Sequence, residues 1–354
     1  MCIYRGISFY ELNEVIRHEN AEFSSLLTNV GNGDQLNTQQ FDMIESRFCS
    51  EAEAEERCPS GIRLFNDNHS VDAYNLKMLS SSDEMTNSIA DDEIIGCNGN
   101  HEKERAAKNR LHKLATIDTG ELPYEIIFVV DKPYMITTNI DVADGLANGA
   151  VGKLSYVELD PQNKVLRVWL LFPKGVGVKA RGKVAGYANS KRISREFVPL
   201  NRRSATVPLN RNKSIHAKRN HFPLKPACAL TIHKSQGGTF DEIVYKYHKT
   251  HSQSLVYVAL SRVTSQEGLH IVPTDNIQRF YHGRRSNASM ALLRQEFMRL
   301  STAQLTTVDQ VILDKINDRN MILFSLNCQS LQAHARDLRG NVVQKADILI
   351  LSET

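Results

Sequence analysis

The chain of 354 residues is 41% hydrophobic and 23% charged, with a formal net charge of +3. That balance belongs to a globular protein long enough for two or three domains. No apolar run reaches the length of a membrane span, and Met1-Cys2-Ile3-Tyr4-Arg5 lacks the apolar core of a signal peptide, so no membrane partner is expected. The six cysteines (Cys2, Cys49, Cys58, Cys97, Cys228, Cys328) form no C-x-x-C pair. They indicate neither a zinc site nor a disulfide framework and read as reduced thiols of an intracellular protein.

Residues 8–48 read as helices. Phe9, Leu12, Val15 and Ile16 recur at helical spacing, as do Phe23, Leu26 and Leu27. Asn37-Thr38 can cap a following helix that buries Phe41 and Ile44. Gly61 to Phe65 fits a strand ending in the Asn66-Asp67-Asn68 turn, and Ser70 can cap a helix from Val71 to Leu79. Acids dominate Glu51–Glu56 and Asp83–Glu93. The stretch from Ser80 to about His101 is polar and weakly periodic, so residues 81–120 are expected to be a flexible acidic linker.

The pattern then turns to β. Ile126–Val130, Tyr134–Ile136, Gly152–Glu158 and Val165–Phe172 are strand-like and separated by Asp-Lys-Pro, Asp-Gly, Asn-Gly and Asp-Pro turns. Short strands so punctuated predict a small β-barrel or curled sheet, here over 121–222. Within it, Lys179 to Arg219 is rich in Lys and Arg and holds one acid, Glu196. Such a block is a candidate phosphate-contact surface, with a solvated loop or nuclear-import patch as the alternative. Tyr187 and Phe197 are stacking candidates inside it, each equally placed to be core. Residues 223–300 return to an α/β pattern, so the β module reads as an insertion.

Gly177 to Val184 matches most of G-x-x-x-x-G-K-[ST], but Val184 stands where a Mg²⁺-binding hydroxyl belongs. The following Ala-Gly-Tyr-Ala-Asn-Ser predicts a poor helix start, without the amides that cradle phosphate. A main phosphate grip for ATP is therefore expected outside this chain. The richest stretch is Pro226 to Phe240. An apolar strand, Ala227–Ile232, delivers His233, Lys234, Ser235, Gln236 and Gly237 at its C-terminal end, where α/β sheets bind ligands. Lys234 can neutralise a phosphate, and Gly237-Gly238 permit close backbone approach; a polar loop after a core strand is the alternative. Leu255 to Thr264 then reads as a small-residue helix ending in Ser261-Arg262. Arg262 can act as an arginine finger on a transferring phosphoryl group or form a surface ion pair.

These stretches, T-I-H-K-S-Q-G-G-T followed by V-Y-V-A-L-S-R-V-T-S, resemble the fifth and sixth motifs of superfamily-one DNA helicases, and the PIF (petite integration frequency) family in particular, in its Helitron-transposon branch. Leu12–Arg17 with Phe23–Leu27 resembles the fourth motif and its sequel. Ile62–Asn75, Asn139–Gly152 and Arg219-x-x-Phe222-Pro223-Leu224 are similar to further family stretches. The resemblance spans about residues 8–300. It implies an α/β, RecA-like second motor domain (1–80 and 223–300) carrying a small inserted β-barrel. It implies that Arg17 and Arg262 reach the γ-phosphate of ATP, with Gln236 and Gly237 near it, while His233, Lys234 and Ser235 approach single-stranded DNA. It further implies 5′-to-3′ translocation, and ATP and Mg²⁺ shared with a missing N-terminal RecA-like domain.

After a linker over 301–320, the tail 321–354 reads strand, helix, strand, with Asn327 and Glu353 just past the two apolar runs. It is similar to the start of the endonuclease/exonuclease/phosphatase fold, in which the matching pair helps bind the catalytic metal; an ordinary β-α-β unit with a capping Asn is the alternative. The later Asp and His residues of such a nuclease are absent, so no nuclease activity is expected. The joint reading is a transposon-derived helicase fragment truncated at both ends. The alternative is a non-catalytic DNA-binding relic of a Helitron-like element.

Overall fold

A computed structural model describes residues 20–288 except Asp83 and Lys174, together with Leu292, Gln295 and the strands 323–327 and 348–352. Arg17 and Glu353 lie outside the described residues, as does the side chain of Asn327. The chain divides into two compact units, Met1–Leu64 with Ser235–Thr354, and Phe65–Lys234.

The first unit opens with α1 (Ala21–Asn32), α2 (Thr38–Glu45) and α3 (Glu51–Arg57). Local chemistry starts each helix. The Asn20 side chain accepts from the amides of Glu22 and Phe23, and Asn37 with Gln40 and Ser50 with Glu53 form reciprocal capping boxes. After α3 comes β1 (Ile62–Phe65). Its Arg63 is buried and donates to the carbonyls of Ala54, Cys58 and Gly61, so the end of α3 closes on a side chain instead of water. Residues 62–64 of β1 run parallel to a later strand, Ile243–Tyr247, which pairs in parallel with Leu269–Pro273. Both of these later strands are almost wholly buried, as a parallel ladder requires.

The second unit begins with α4 (Asn68–Ser80). Its cap is Asp67, whose carboxylate accepts from Ser70 N at 2.8 Å; Ser70, the expected cap, lies inside the first turn. Residues 81–120, expected as a linker, instead carry β2 (Thr86–Ile89), β3 (Asp91–Ile95), α5 (His101–Leu111) and a short 3₁₀ turn at Thr116–Thr119. They hold their own small core of Cys97, Ala107, Leu111, Val207, Leu209 and Ala217.

The insertion continues with β4 (Glu125–Phe128), β5 (Pro133–Ile136), β6 (Val151–Leu159), β7 (Val165–Leu171), α6 (Val178–Ser190), β8 (Val198–Asn201), β9 (Arg203–Pro208), β10 (His216–His221) and β11 (Leu224–Pro226). The expected closed barrel is not formed. β11-β5-β6-β7-β8 is an open antiparallel sheet with β11 and β8 as its edges, and β2-β4 and β3-β10-β9 are separate ladders. Packing replaces closure: α6 lies on β8, and Phe128, Tyr134, Val168, Leu170, Val198 and Phe222 share one core.

The acidic and basic stretches meet here. Arg219 on β10 is 2% exposed and holds Asp92 on β3 through two 2.8 Å hydrogen bonds. Arg202 and Lys164 both bind Asp91. Part of the candidate phosphate surface is therefore neutralised within the fold.

Gly177 to Val184 behaves differently from the sequence expectation. A helix does start there, directly after Gly177, whose backbone is left-handed at φ 73°. Its amides are already occupied, since the Asp144 carboxylate accepts from Lys179 N and Ala180 N at 2.8 Å each. An internal anion fills the position that a nucleotide phosphate would need, so this is no P-loop. Asp144→Ala should cost about 1–2 kcal/mol through loss of the cap. Urea denaturation checks this, and unchanged stability would show that α6 does not rely on Asp144.

The second unit ends with β12 (Ala229–Thr231) and the 3₁₀ turn His233–Ser235. The first unit resumes with β13 (Ile243–Tyr247), α7 (Gln253–Leu260) and β14 (Leu269–Pro273). Its last described strands, β15 (Leu323–Asn327) and β16 (Ile348–Ser352), pair in parallel with Asn327 opposite Ser352.

Candidate functional site

On the second unit, β12 is fully buried and is clamped by α4. Asn75 Oδ1 accepts from Ala229 N at 2.8 Å, and its amide donates to Ala229 O at 3.1 Å. This fixes the height at which the chain emerges. His233 and Lys234 emerge exposed, and Lys234 N is steadied by Thr231 Oγ1 at 3.3 Å. Lys234 borders a cleft of about 320 Å³ lined by α4, β4 and β11, with Val71, Leu76, Leu79, Ile126 and Ile127 among its apolar walls.

Lys225, on β11, lines the same cleft. Burial and its contact with the Lys234 ammonium pull Lys225 down to about 8, against the opposing pull of Glu121 and Asp72. Sequence reasoning passed over Lys225. Its distance of nine positions from Lys234 gives no helical or strand periodicity, and only the return of the chain from β11 to β12 brings the two together.

On the first unit, the loop after Lys234 is tied to the end of α7. Phe240 N donates to Arg262 O at 2.9 Å and Thr264 N to Phe240 O at 3.0 Å, while Gly238 N closes on Ser235 O at 3.0 Å. The Arg262 side chain is 7% exposed. Its guanidinium donates to Val258 O (2.9 Å), Gly238 O (3.3 Å) and Ser261 Oγ (2.8 Å). Arg262 is thus buried and joins the end of α7 to the loop at Gly238. Gln236 and Gly237 are exposed beside it in sequence, with Gly237 at φ 86°. Ser235 is wholly buried, so its hydroxyl is not presented to a strand on the surface.

The other sequence candidates separate from this site. The Tyr187 ring carries Arg167 over its face at 5.1 Å and its hydroxyl donates to Glu158. Phe197 is half-buried. Cys49, Cys58, Cys97 and Cys228 are buried free thiols, and burial beside Glu242 pushes Cys58 up to about 11. Among the described residues no three His, Cys, Asp or Glu converge as a metal site, and no helix is long and apolar enough to cross a membrane.

No family model matches the chain. Individual relatives do. It is 29% identical over 170 residues to the ATP-dependent DNA helicase Pif1 of Bdellovibrio bacteriovorus, covering 48% of this chain and 37% of that protein. It is 31% identical over 146 residues to the ATP-dependent DNA helicase PIF1 of Danio rerio, covering 41% of this chain and 19% of that protein. Its fold matches the crystal structure of Pif1 helicase from Bacteroides in complex with ADP-AlF3 and ssDNA. The TM-score is 0.52 at 21% identity, over 83% of this chain and 57% of that one.

Over part of its length the chain is similar in sequence to Pif1 helicases, and it shares the fold of the matching part of that structure. The matches span 37% and 19% of the two curated relatives' own lengths. Within this chain, the cleft carries a titratable cation close to neutrality. An anion bound there favours charged Lys225, so binding takes up a proton and weakens as pH rises from about 7 to 9. Fluorescence anisotropy with labelled oligo(dT) should show that decline, and Lys225→Met should flatten it. Equal pH dependence in both proteins would remove Lys225 from the site.

Proposed function

We propose that this chain acts as the second motor domain of a Pif1-type ATP-dependent DNA helicase and carries a DNA-contacting insertion. His233 and Lys234 contact the backbone of single-stranded DNA. Gln236, Gly237 and Arg262, together with Arg17, serve the γ-phosphate of an ATP held by a first RecA-like domain. The Helitron-like motif order supports a transposon-derived chain that translocates 5′ to 3′.

One observation carries the reading. The exposed Lys234 lies four residues before Gly238, whose carbonyl accepts from the Arg262 guanidinium. A phosphate oxygen is a stronger acceptor for a guanidinium than a neutral carbonyl. Nucleotide binding would draw Arg262 from Gly238 O and Val258 O and release the loop that follows the DNA-contacting residues. Charge stabilisation by an arginine in the transition state is the chemistry this residue can supply. Mg²⁺ would accompany the ATP phosphates.

Ser235 is dropped from the DNA contacts because it is buried. The rival reading, a non-catalytic DNA-binding relic, shares the Lys234 contact but gives Arg262 no nucleotide role. Oligo(dT) titrations separate the two residues. Lys234→Ala should weaken binding and lower the salt slope by about 0.7, the value of one single-strand phosphate contact. Arg262→Ala should leave both unchanged. Equal losses in the two variants would contradict the division of roles.

A further inference from the structure

The insertion leaves several exposed cations without an ion pair, and one group of them lines α6 and its end. Arg167, Arg202 and Arg219 are engaged with Glu158, Asp91 and Asp92. By contrast, among the described residues Lys179, Lys183, Lys191 and Arg192 are exposed and form no ion pair, and Arg181 and Arg195 bind only a backbone carbonyl and an amide oxygen. Glu196, the one acid in the stretch from Lys179 to Arg219, is itself exposed.

The arrangement runs against helix stability. Lys179, Arg181 and Lys183 fall in the first two turns of α6, where the macrodipole disfavours cations, while its last turn carries none. Lys179 and Lys183 repel at i,i+4 spacing. Lys179, Lys183, Tyr187 and Lys191 fall at intervals of four, so they form one stripe rising about 6 Å per step. The stripe is held rigidly: Asp144 clamps the start of α6, and Glu158 takes the Tyr187 hydroxyl. A stripe that is costly to the helix and unpaired within the protein is matched to an external polyanion.

We propose that α6 is a second nucleic-acid surface, separate from His233 and Lys234, which grips the phosphate backbone of duplex DNA. The charge complementarity selects phosphates. Tyr187 selects duplex over single strand, because Arg167 covers its ring and Glu158 fixes its hydroxyl, whereas sequence-tolerant single-strand binding uses free stacking platforms. A duplex needs only spaced cations along its backbone.

The test compares a blunt duplex with oligo(dT) of equal length, by anisotropy across a salt series. In Lys179→Gln/Lys183→Gln/Lys191→Gln, the duplex salt slope should fall by about 3, roughly 0.9 per lost contact, with affinity down at least tenfold. Oligo(dT) binding should hold, as it should not in Lys234→Ala. If the triple variant loses its circular dichroism signature, Lys183→Gln alone should lower the duplex slope by about 1, and Lys183→Arg should restore it. An unchanged duplex slope overturns the proposal, and so does a parallel loss for oligo(dT).

Discussion

Arg262 ties the last turn of α7 to the loop that follows β12. Its side chain donates to Val258 and Gly238, and its own carbonyl receives Phe240 N. The loop is held by the backbone bonds of Phe240 with Arg262 and Thr264 and by a cation that the proposed reaction would reclaim. Neutral carbonyls can hold a guanidinium at rest and surrender it to a charged phosphate. Under the proposed function, that difference in acceptor strength would let one residue be both staple and sensor.

The insertion follows a different economy of charge. Buried arginines there are matched by carboxylates, as Arg219 is by Asp92, because an unpaired charge in the core costs several kcal/mol. The Asp144 carboxylate does the same for the helix start at α6, engaging the amides of Lys179 and Ala180 that a phosphate would need. What remains uncompensated faces outward, on α6 and at Arg203, Arg211, Lys213 and Lys218. Folding has sorted the sequence's basic block into structural and available cations, a distinction that net charge could not make.

Much of the fold is legible in the sequence because it is local. Asn37 and Gln40 form the expected cap, and the alternating runs at Tyr134–Ile136 and Val165–Phe172 become β5 and β7. The misreadings share a non-local cause. Residues 91–95 look like a solvated acidic linker until they pair with β10, whose Arg219 lies 127 residues beyond Asp92. The α6 start looks poor because its cap arrives from 35 residues upstream. At the site, His233, Lys234, Gln236 and Gly237 emerge on an exposed turn, as the strand-end logic predicts. The burial of Ser235 and the approach of Lys225 depend on packing that no local pattern records.

The proposed motor function requires that Arg262 serve a nucleotide. This chain should be fused behind a first RecA-like domain that bears a P-loop, and its ATP turnover measured with and without oligo(dT). DNA-stimulated hydrolysis that disappears in Arg262→Ala is the predicted result. Turnover indifferent to DNA, or retained in full by Arg262→Ala, would contradict it.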